Sequence, residues 1–116
     1  MITEIDQWID VCAEHELLAD RGVCALVGSE AVAVFRVSPD GALYAVSNTD
    51  PFTGASVMSR GIVGSVGDTV KITSPMLKHS FDLHTGQSLD DASVCLHTFM
   101  VRMVGGRIEV ALAESP

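Results

Sequence analysis

The sequence predicts an all-β domain, because it has short β-branched segments, regularly spaced turn residues and little helical periodicity. The chain has 116 residues, of which 47% are hydrophobic and 19% are charged. A chain of this length corresponds to one domain, since a domain ordinarily takes roughly 100–200 residues. We therefore expect a single domain over residues 1–116, built as a β-sandwich or barrel.

The first half of the chain contains three strand-like segments separated by turns. Val23–Val27 and Val32–Val37 flank Gly28-Ser29-Glu30 and predict a hairpin. Ser38-Pro39-Asp40-Gly41 predicts a turn, because proline presets its own φ and glycine accepts a positive φ. The turn leads into a third strand over Ala42–Ser47, so the three strands are expected to form a meander.

The C-terminal third of the chain predicts a second hairpin. Leu96–Val104 and Arg107–Leu112 surround Gly105-Gly106, a two-residue connection that primed turns favour. Each strand is expected to turn one apolar face to the core. One short helical pattern, two turns within Ala13–Asp20, carries little of the fold. The alternating apolar residues of the two strands are Phe99, Val101 and Met103, and Ile108, Val110 and Leu112.

Charge and cysteine content exclude several classes of protein. Fifteen acidic residues against seven basic ones give a net charge of −8, which disfavours binding to nucleic acid or to a membrane surface. No apolar stretch approaches the ~18–20 residues that span a bilayer. The acidic first ten residues do not resemble an export signal, so we expect a cytoplasmic protein. The widely spaced Cys12, Cys24 and Cys95 form no CxxC pair and are expected to be buried thiols.

Familiar catalytic patterns are weak in this sequence. His79 and His84 are five residues apart, which places them on opposite faces of an extended strand, so a shared metal is not expected. Asp90-Asp91 has the character of an exposed turn rather than of paired catalytic carboxylates. One alternative is an independent enzyme that uses His79 or His84 with Asp82 as an acid and base pair, since alternation places His84 and Asp82 on one face.

Two loops in the middle of the chain resemble the cluster-binding loops of Rieske iron-sulfur domains. The first is Asn48–Ala55, followed by Ser59–Gly64, and the second combines Ser74–Leu77 with Phe81–Gly86. Rieske domains hold a [2Fe–2S] cluster with two Cys and two His, supplied in this family as Cys-x-His and Cys-x-x-His. The resemblance implies a Rieske-like fold with both loops side by side at one end, in the cluster-binding position.

The same resemblance places a non-ligand at all four ligand positions. Asp50 and Phe52 stand at the Cys and His positions of the first loop, and Ser74 and Leu77 stand at those of the second. Phenyl and isobutyl groups cannot bind iron, and a carboxylate or hydroxyl is a poor substitute for thiolate in a sulfide cluster. We therefore expect no cofactor, no metal and no catalytic residue in this chain.

This ligand-free pattern is similar to the small subunits of cytoplasmic NAD(P)H-dependent assimilatory nitrite reductases. The resemblance implies an accessory role in the reduction of nitrite to ammonium during nitrate assimilation. It also implies a nitrite reductase large subunit as partner, with siroheme, a [4Fe–4S] cluster, FAD and NAD(P)H bound to that partner. No activity is expected from this chain alone.

The loop tips are the candidate partner surface. Phe52, Met76 and Leu77 would offer an apolar patch of the kind that marks protein interfaces. In the competing interpretation, Phe52 and Leu77 fill the space of the lost cluster and pack on each other. An acidic face is the second candidate for docking, with Asp90, Asp91 and Glu109 as its leading residues.

Two other functions remain open at the level of sequence. A Rieske-type ferredoxin of a dioxygenase system would need the four missing ligands and would contain iron. A Rieske-like interaction module for a different redox partner would need neither the ligands nor nitrite reductase.

Overall fold

The computed structural model describes residues 5–113, and the regular structure of the described chain consists of β-strands and two 3-10 turns, Glu14–Glu16 and Met58–Arg60. Within these residues the strands form three antiparallel sheets, in the orders β1-β10-β9, β2-β3-β4-β8 and β5-β6-β7, and no sheet closes into a barrel. The strands are β1 (Ile5–Ala13), β2 (Gly22–Val27), β3 (Glu30–Val37), β4 (Ala42–Ser47), β5 (Ile62–Val66), β6 (Thr69–Thr73), β7 (Ser80–Asp82), β8 (Thr98–Phe99), β9 (Val101–Val104) and β10 (Arg107–Ala113).

The sheet β2-β3-β4-β8 is the central layer, because both of its faces are buried. Ala33 and Phe35 of β3 point to one side, where they pack with residues that include Ile72 and Phe81 of the small sheet β5-β6-β7. Val32 and Val34 alternate with them and belong to a second cluster with residues of β10 and with Leu17, which directly follows the first 3-10 turn. The small sheet and the sheet β1-β10-β9 therefore lie on opposite sides of the central layer.

The predicted N-terminal meander is confirmed. Val27 pairs with Glu30, so the connection is the two residues Gly28-Ser29, and Gly28 has φ +64°. The third strand has the predicted bounds, and Gly41 before it has φ +76°. The predicted helical segment is wrong in extent, because only Glu14–Glu16 forms a turn and it is a 3-10 turn.

The predicted C-terminal hairpin is confirmed at its turn, but its first strand is wrong. Gly105 and Gly106 have φ +57° and +77°, as a primed turn with two left-handed residues requires. The predicted strand Leu96–Val104 is divided at Met100: β8 before it pairs with β4, and β9 after it pairs with β10. Because β9 is an edge strand, Met103 is 49% exposed and does not reach the core.

The expectation of three buried thiols is also wrong. Cys12 is buried, and that burial raises the pKa of its thiol. Cys24 lies on the edge strand β2, Cys95 lies in the loop before β8, and both are exposed. Among residues 5–113, no helix is long and apolar enough to cross a membrane.

Candidate functional site

A buried hydrogen bond joins the two loops that resemble cluster-binding loops. The Ser74 hydroxyl donates to Asp50 Oδ2 at 2.6 Å. Asp50 is 0% exposed and Ser74 is 1% exposed, so the pair is closed to water. These residues stand at the two Cys positions of the resemblance, and the loops are thus tied side by side where thiolates would hold one iron. The predicted proximity of the two loops is confirmed.

Asp50 also builds the first loop through its own backbone and carboxylate. Its Oδ1 accepts the Phe52 N–H at 2.8 Å, which closes a turn of the type that Asp and Asn favour. Its carbonyl accepts the N–H groups of Gly54 at 2.7 Å and Thr53 at 3.3 Å, and its own N–H donates to the Ala55 carbonyl at 2.8 Å. One buried residue therefore sets both the shape of the first loop and its link to the second.

Asn48 is a further organising residue that the sequence interpretation missed. It is 3% exposed. Its side-chain NH₂ donates to Ser56 Oγ at 2.8 Å, and its Oδ1 accepts the Ser59 N–H at 2.7 Å. Its carbonyl accepts the N–H groups of Val57 and Met58 at the start of the second 3-10 turn. An Asn directly after a strand and before a turn-rich segment was the available signal.

The second loop has strained backbone at its tip. Leu77 and Lys78 have φ +58° and +57°, the left-handed region that costs a residue with a Cβ roughly 1–2 kcal/mol. The Ser74 N–H donates to the His79 carbonyl at 2.8 Å, and Ser74 Oγ accepts the Met76 N–H at 3.1 Å. These contacts close the loop around its tip. Leu77 is 75% exposed and Met76 is 40% exposed.

Phe52 is half-buried and packs against His79, which directly follows this tip in the sequence. Its ring stacks on the His79 imidazole, with the ring centroids 3.9 Å apart and the planes 20° apart. It also contacts Phe81 of the core, at 5.9 Å between centroids. Phe52 thus packs against its neighbours, as in the interpretation that it fills the space of the lost cluster. Leu77 does not, because its side chain is exposed to solvent. The stack on His79 could not be predicted from spacing, because it depends on how the second loop folds back.

The residues at the four ligand positions do not fit a [2Fe–2S] cluster. Phe52 and Leu77 have no donor atom for iron, and the Asp50 carboxylate and Ser74 hydroxyl are already bonded to each other. Within the described chain, no group of three His, Cys, Asp or Glu side chains is arranged to hold a metal ion.

The motif from Phe81 to Gly86 has a structural explanation. Asp82 Oδ1 accepts the backbone N–H groups of His84 at 2.7 Å and Thr85 at 3.3 Å, so this carboxylate caps a turn and is not paired with the His84 imidazole. The proposed acid and base pair of His84 and Asp82 is therefore not formed. His79, the other candidate base, has its Nδ1 3.7 Å from Asp90 Oδ2.

Gly86, at the end of this motif, is required by the fold. It has φ +82°, and a Cβ there would lie 2.1 Å from the Leu96 carbonyl oxygen.

The three acidic residues of the second docking candidate lie in different surroundings. Asp90 accepts the Ser80 N–H, and Asp91 accepts the Ser93 hydroxyl at 2.6 Å and the Ser93 N–H, which together lower the pKa of Asp91. Glu109 lies on β10, across the central sheet from the loops, and forms an ion pair of 2.7 Å with Arg102. The three carboxylates therefore do not form one unbroken acidic surface.

Comparison with known proteins finds both a family and close relatives. Residues 7–111 match the family model of Rieske-like [2Fe-2S] domains. The chain is 34% identical over 106 residues to the nitrite reductase (NADH) small subunit of Escherichia coli K12, an alignment that covers 91% of this chain and 98% of the relative. It is also 27% identical over 103 residues to the nitrite reductase [NAD(P)H] large subunit of Klebsiella oxytoca, covering 89% of this chain and 11% of that much longer one.

Similar solved structures include nitrite reductase small subunits and Rieske-type ferredoxins. A Mycobacterium tuberculosis protein assigned as an NADH-dependent nitrite reductase small subunit superposes with a TM-score of 0.90 at 42% identity, covering 99% of this chain and 100% of that one. The ferredoxin of carbazole 1,9a-dioxygenase from Nocardioides aromaticivorans superposes with a TM-score of 0.76 at 21% identity, covering 91% and 98%. The second similarity shows a common fold.

Proposed function

This chain belongs to the family of nitrite reductase small subunits, which has the Rieske-like fold, and we propose from this that it is a cofactor-free accessory subunit of a cytoplasmic NAD(P)H-dependent nitrite reductase. Its partner is the nitrite reductase large subunit. The complex reduces nitrite to ammonium for nitrate assimilation. Siroheme, a [4Fe–4S] cluster, FAD and the NAD(P)H site belong to the partner, which supplies the redox chemistry.

The buried hydrogen bond between Asp50 and Ser74 carries the proposal of an accessory role. Cysteines at these two positions, together with histidines at the positions of Phe52 and Leu77, would bind a [2Fe–2S] cluster and make the domain an electron carrier of the ferredoxin type. In this chain the same positions are used to hold two loops together, and Phe52 and Leu77 complete a tip without iron ligands. The chain therefore acts through contact with its partner rather than through electron transfer.

The Klebsiella oxytoca relative supports the choice of partner. In that organism a segment similar to this chain occupies 11% of one polypeptide that is named a large subunit. A domain that is covalently joined to a larger protein in one organism is well suited to bind the corresponding protein as a separate chain in another. In such a case a noncovalent interface between two chains replaces the covalent link within one chain.

The loop tip is the surface that we propose for this interface. Met76 and Leu77 are exposed apolar side chains, Leu77 has left-handed backbone, and Phe52 stacks on His79 next to them in the sequence. Methionine adapts to irregular surfaces, and apolar anchors that enter a partner's pocket carry much of the binding energy of an interface. Backbone strain of this kind is concentrated at functional loops, where it holds side chains in defined positions.

The test is reconstitution with the large subunit from the same organism. We expect this chain to copurify with the large subunit and to increase its NAD(P)H-dependent reduction of nitrite until one chain is bound per large subunit. The chain alone should contain no stoichiometric iron or acid-labile sulfide. Stoichiometric iron would restore the ferredoxin interpretation, and binding to a different redox protein with no binding to the large subunit would favour a general interaction module.

A further inference from the structure

Two residues at the tip of the second loop combine a strained backbone with exposed side chains. Leu77 and Lys78 have φ +58° and +57°, and both are exposed to solvent. Glycine adopts this left-handed conformation without the steric cost that a Cβ adds, so the turn itself needs neither side chain. Strain of this kind is characteristic of functional loops. What Leu77 and Lys78 add to the turn is an apolar group and a cation on adjacent residues.

The two ends of this tip are anchored to the rest of the site. At one end, the Ser74 hydroxyl donates to buried Asp50 and accepts the Met76 N–H. At the other end, the His79 carbonyl accepts the Ser74 N–H, and the His79 ring stacks on Phe52. A loop that is held in this way loses little further backbone freedom when a partner binds, which favours a preorganised contact.

The charge at the tip is opposite in sign to the charge of the whole chain. The chain has a net charge of −8. In the two loop segments, residues 48–57 and 74–79, Asp50 is the only carboxylate, and it is buried. Lys78 is the only Lys or Arg in the same segments. The two loops of this acidic protein therefore present an exposed ammonium and no exposed carboxylate.

Lys78 has no carboxylate partner in the part of the chain that the structure describes. Of the ion pairs formed within residues 5–113, none includes it. The Asp90 carboxylate lies close to the second loop, but its Oδ2 is 3.7 Å from His79 Nδ1 and accepts the Ser80 N–H. The Lys78 ammonium is therefore available to a carboxylate of another molecule.

We propose that the tip docks into an apolar pocket of the nitrite reductase large subunit. Leu77 enters the pocket, and the Lys78 ammonium pairs with a carboxylate at its rim. The proposal rests on the function proposed above and adds the chemistry of the partner's site. An apolar side chain in a pocket supplies much of the free energy of association, and a charge pair at the rim gives orientation and selectivity. Nucleic acids and anionic membranes also attract cations, but the net charge of this chain repels both.

A zero-length cross-link tests the position of the ammonium, because Lys71 and Lys78 are the only lysines of the chain. A carbodiimide joins an amine to a carboxylate only where the two groups are in contact. In the complex of the full chain with the large subunit from the same organism, mass spectrometry should find Lys78 joined to an Asp or Glu of the large subunit. Lys71, in the middle of β6, should not form such a link. A complex that yields no link at Lys78 overturns the proposal.

Charge variants measure the ion pair in a binding titration. Lys78→Gln removes the attraction and should weaken binding about threefold, whereas Lys78→Glu replaces it with repulsion and should weaken binding about tenfold or more. Lys71→Glu makes the same charge change on β6 and should bind like the unmodified chain. Because salt screens an exposed pair, the affinity of the unmodified chain should fall more steeply with ionic strength than that of Lys78→Gln. Equal binding by Lys78→Glu and Lys71→Glu overturns the proposal.

Leu77→Gly separates docking from folding. Glycine keeps the left-handed turn without its strain, so the Tm of the isolated chain should stay the same or rise. Loss of the apolar side chain should nevertheless weaken binding about tenfold or more. Unchanged binding would show that Leu77 is not in the interface and would overturn the proposal. If the unmodified chain does not bind the large subunit at all, the proposed function fails together with this inference, whereas the other contrary outcomes refute the inference alone.

Discussion

Replacing Ser74 with Ala should show how strongly the link between the two loops stabilises the domain. The substitution removes the hydroxyl that donates to Asp50 Oδ2 at 2.6 Å and that accepts the Met76 N–H at 3.1 Å. The Asp50 side chain stays buried, and its Oδ2 loses the hydrogen bond that Ser74 supplied. The two loops are then held together at this point by packing alone.

The expected cost follows from the burial of Asp50. A buried polar group that loses its hydrogen-bond partner costs about 1–3 kcal/mol, and a charged group costs more. The Met76 N–H adds little to this cost, because it lies at the exposed tip and can donate to water instead. We therefore expect the free energy of unfolding to fall by about 2–3 kcal/mol. For a domain of this size, that corresponds to a decrease in Tm on the order of 10 °C.

Denaturant unfolding, followed by circular dichroism and by the fluorescence of the single tryptophan, measures this cost. Ser93→Ala is the matched control, because the Ser93 hydroxyl also donates to an aspartate, Asp91, at 2.6 Å, but at an exposed site. The control should shift the unfolding midpoint far less than Ser74→Ala does, because both of its groups are exposed to water. If Ser74→Ala is as stable as this control, the buried hydrogen bond does not hold the loops together and the reasoning is wrong.

Two further predictions follow from burial and charge. Cys24 and Cys95 should react rapidly with a thiol reagent under native conditions, while Cys12 should react only on unfolding; three slow thiols would contradict the described exposure. The pKa of Asp91 should rise in Ser93→Ala, as measured by carboxyl ¹³C NMR. Because the pKa of Asp91 is lowered in the folded state, its ionised carboxylate stabilises folding at pH values above the unfolded pKa of about 3.9, and this contribution is lost as the pH falls through the folded pKa. An unchanged Asp91 pKa in Ser93→Ala would show that the Ser93 hydroxyl does not lower it.

The strands were largely predictable because their signals are local. The turn at Ser38–Gly41 and the two-glycine turn at Gly105-Gly106 are determined by neighbouring residues, and both lie where the sequence indicated. The break at Met100 was not predictable, because it depends on which strand each half pairs with. That choice is made by β4 and β10, which are distant in the sequence.

The candidate site was predictable only as a set of positions. The resemblance to Rieske loops identified Asp50, Phe52, Ser74 and Leu77, but it gave them no contacts. The buried Asp50–Ser74 bond and the stack of Phe52 on His79 arise from two loops that are separated by more than twenty residues and fold against each other. Local periodicity carries no information about such long-range pairs.

Binding of the large subunit by matched methionine variants tests the central claim most directly. Met76 at the loop tip is 40% exposed and Met103 on β9, across the central sheet, is 49% exposed, so Glu at each introduces the same charge at similar exposure. In a binding titration against the large subunit, Met76→Glu should weaken association at least tenfold, because a charge must be desolvated at the interface. Met103→Glu should bind like the unmodified chain. Equal binding by both variants, or a loss confined to Met103→Glu, would contradict an interface at the loop tip.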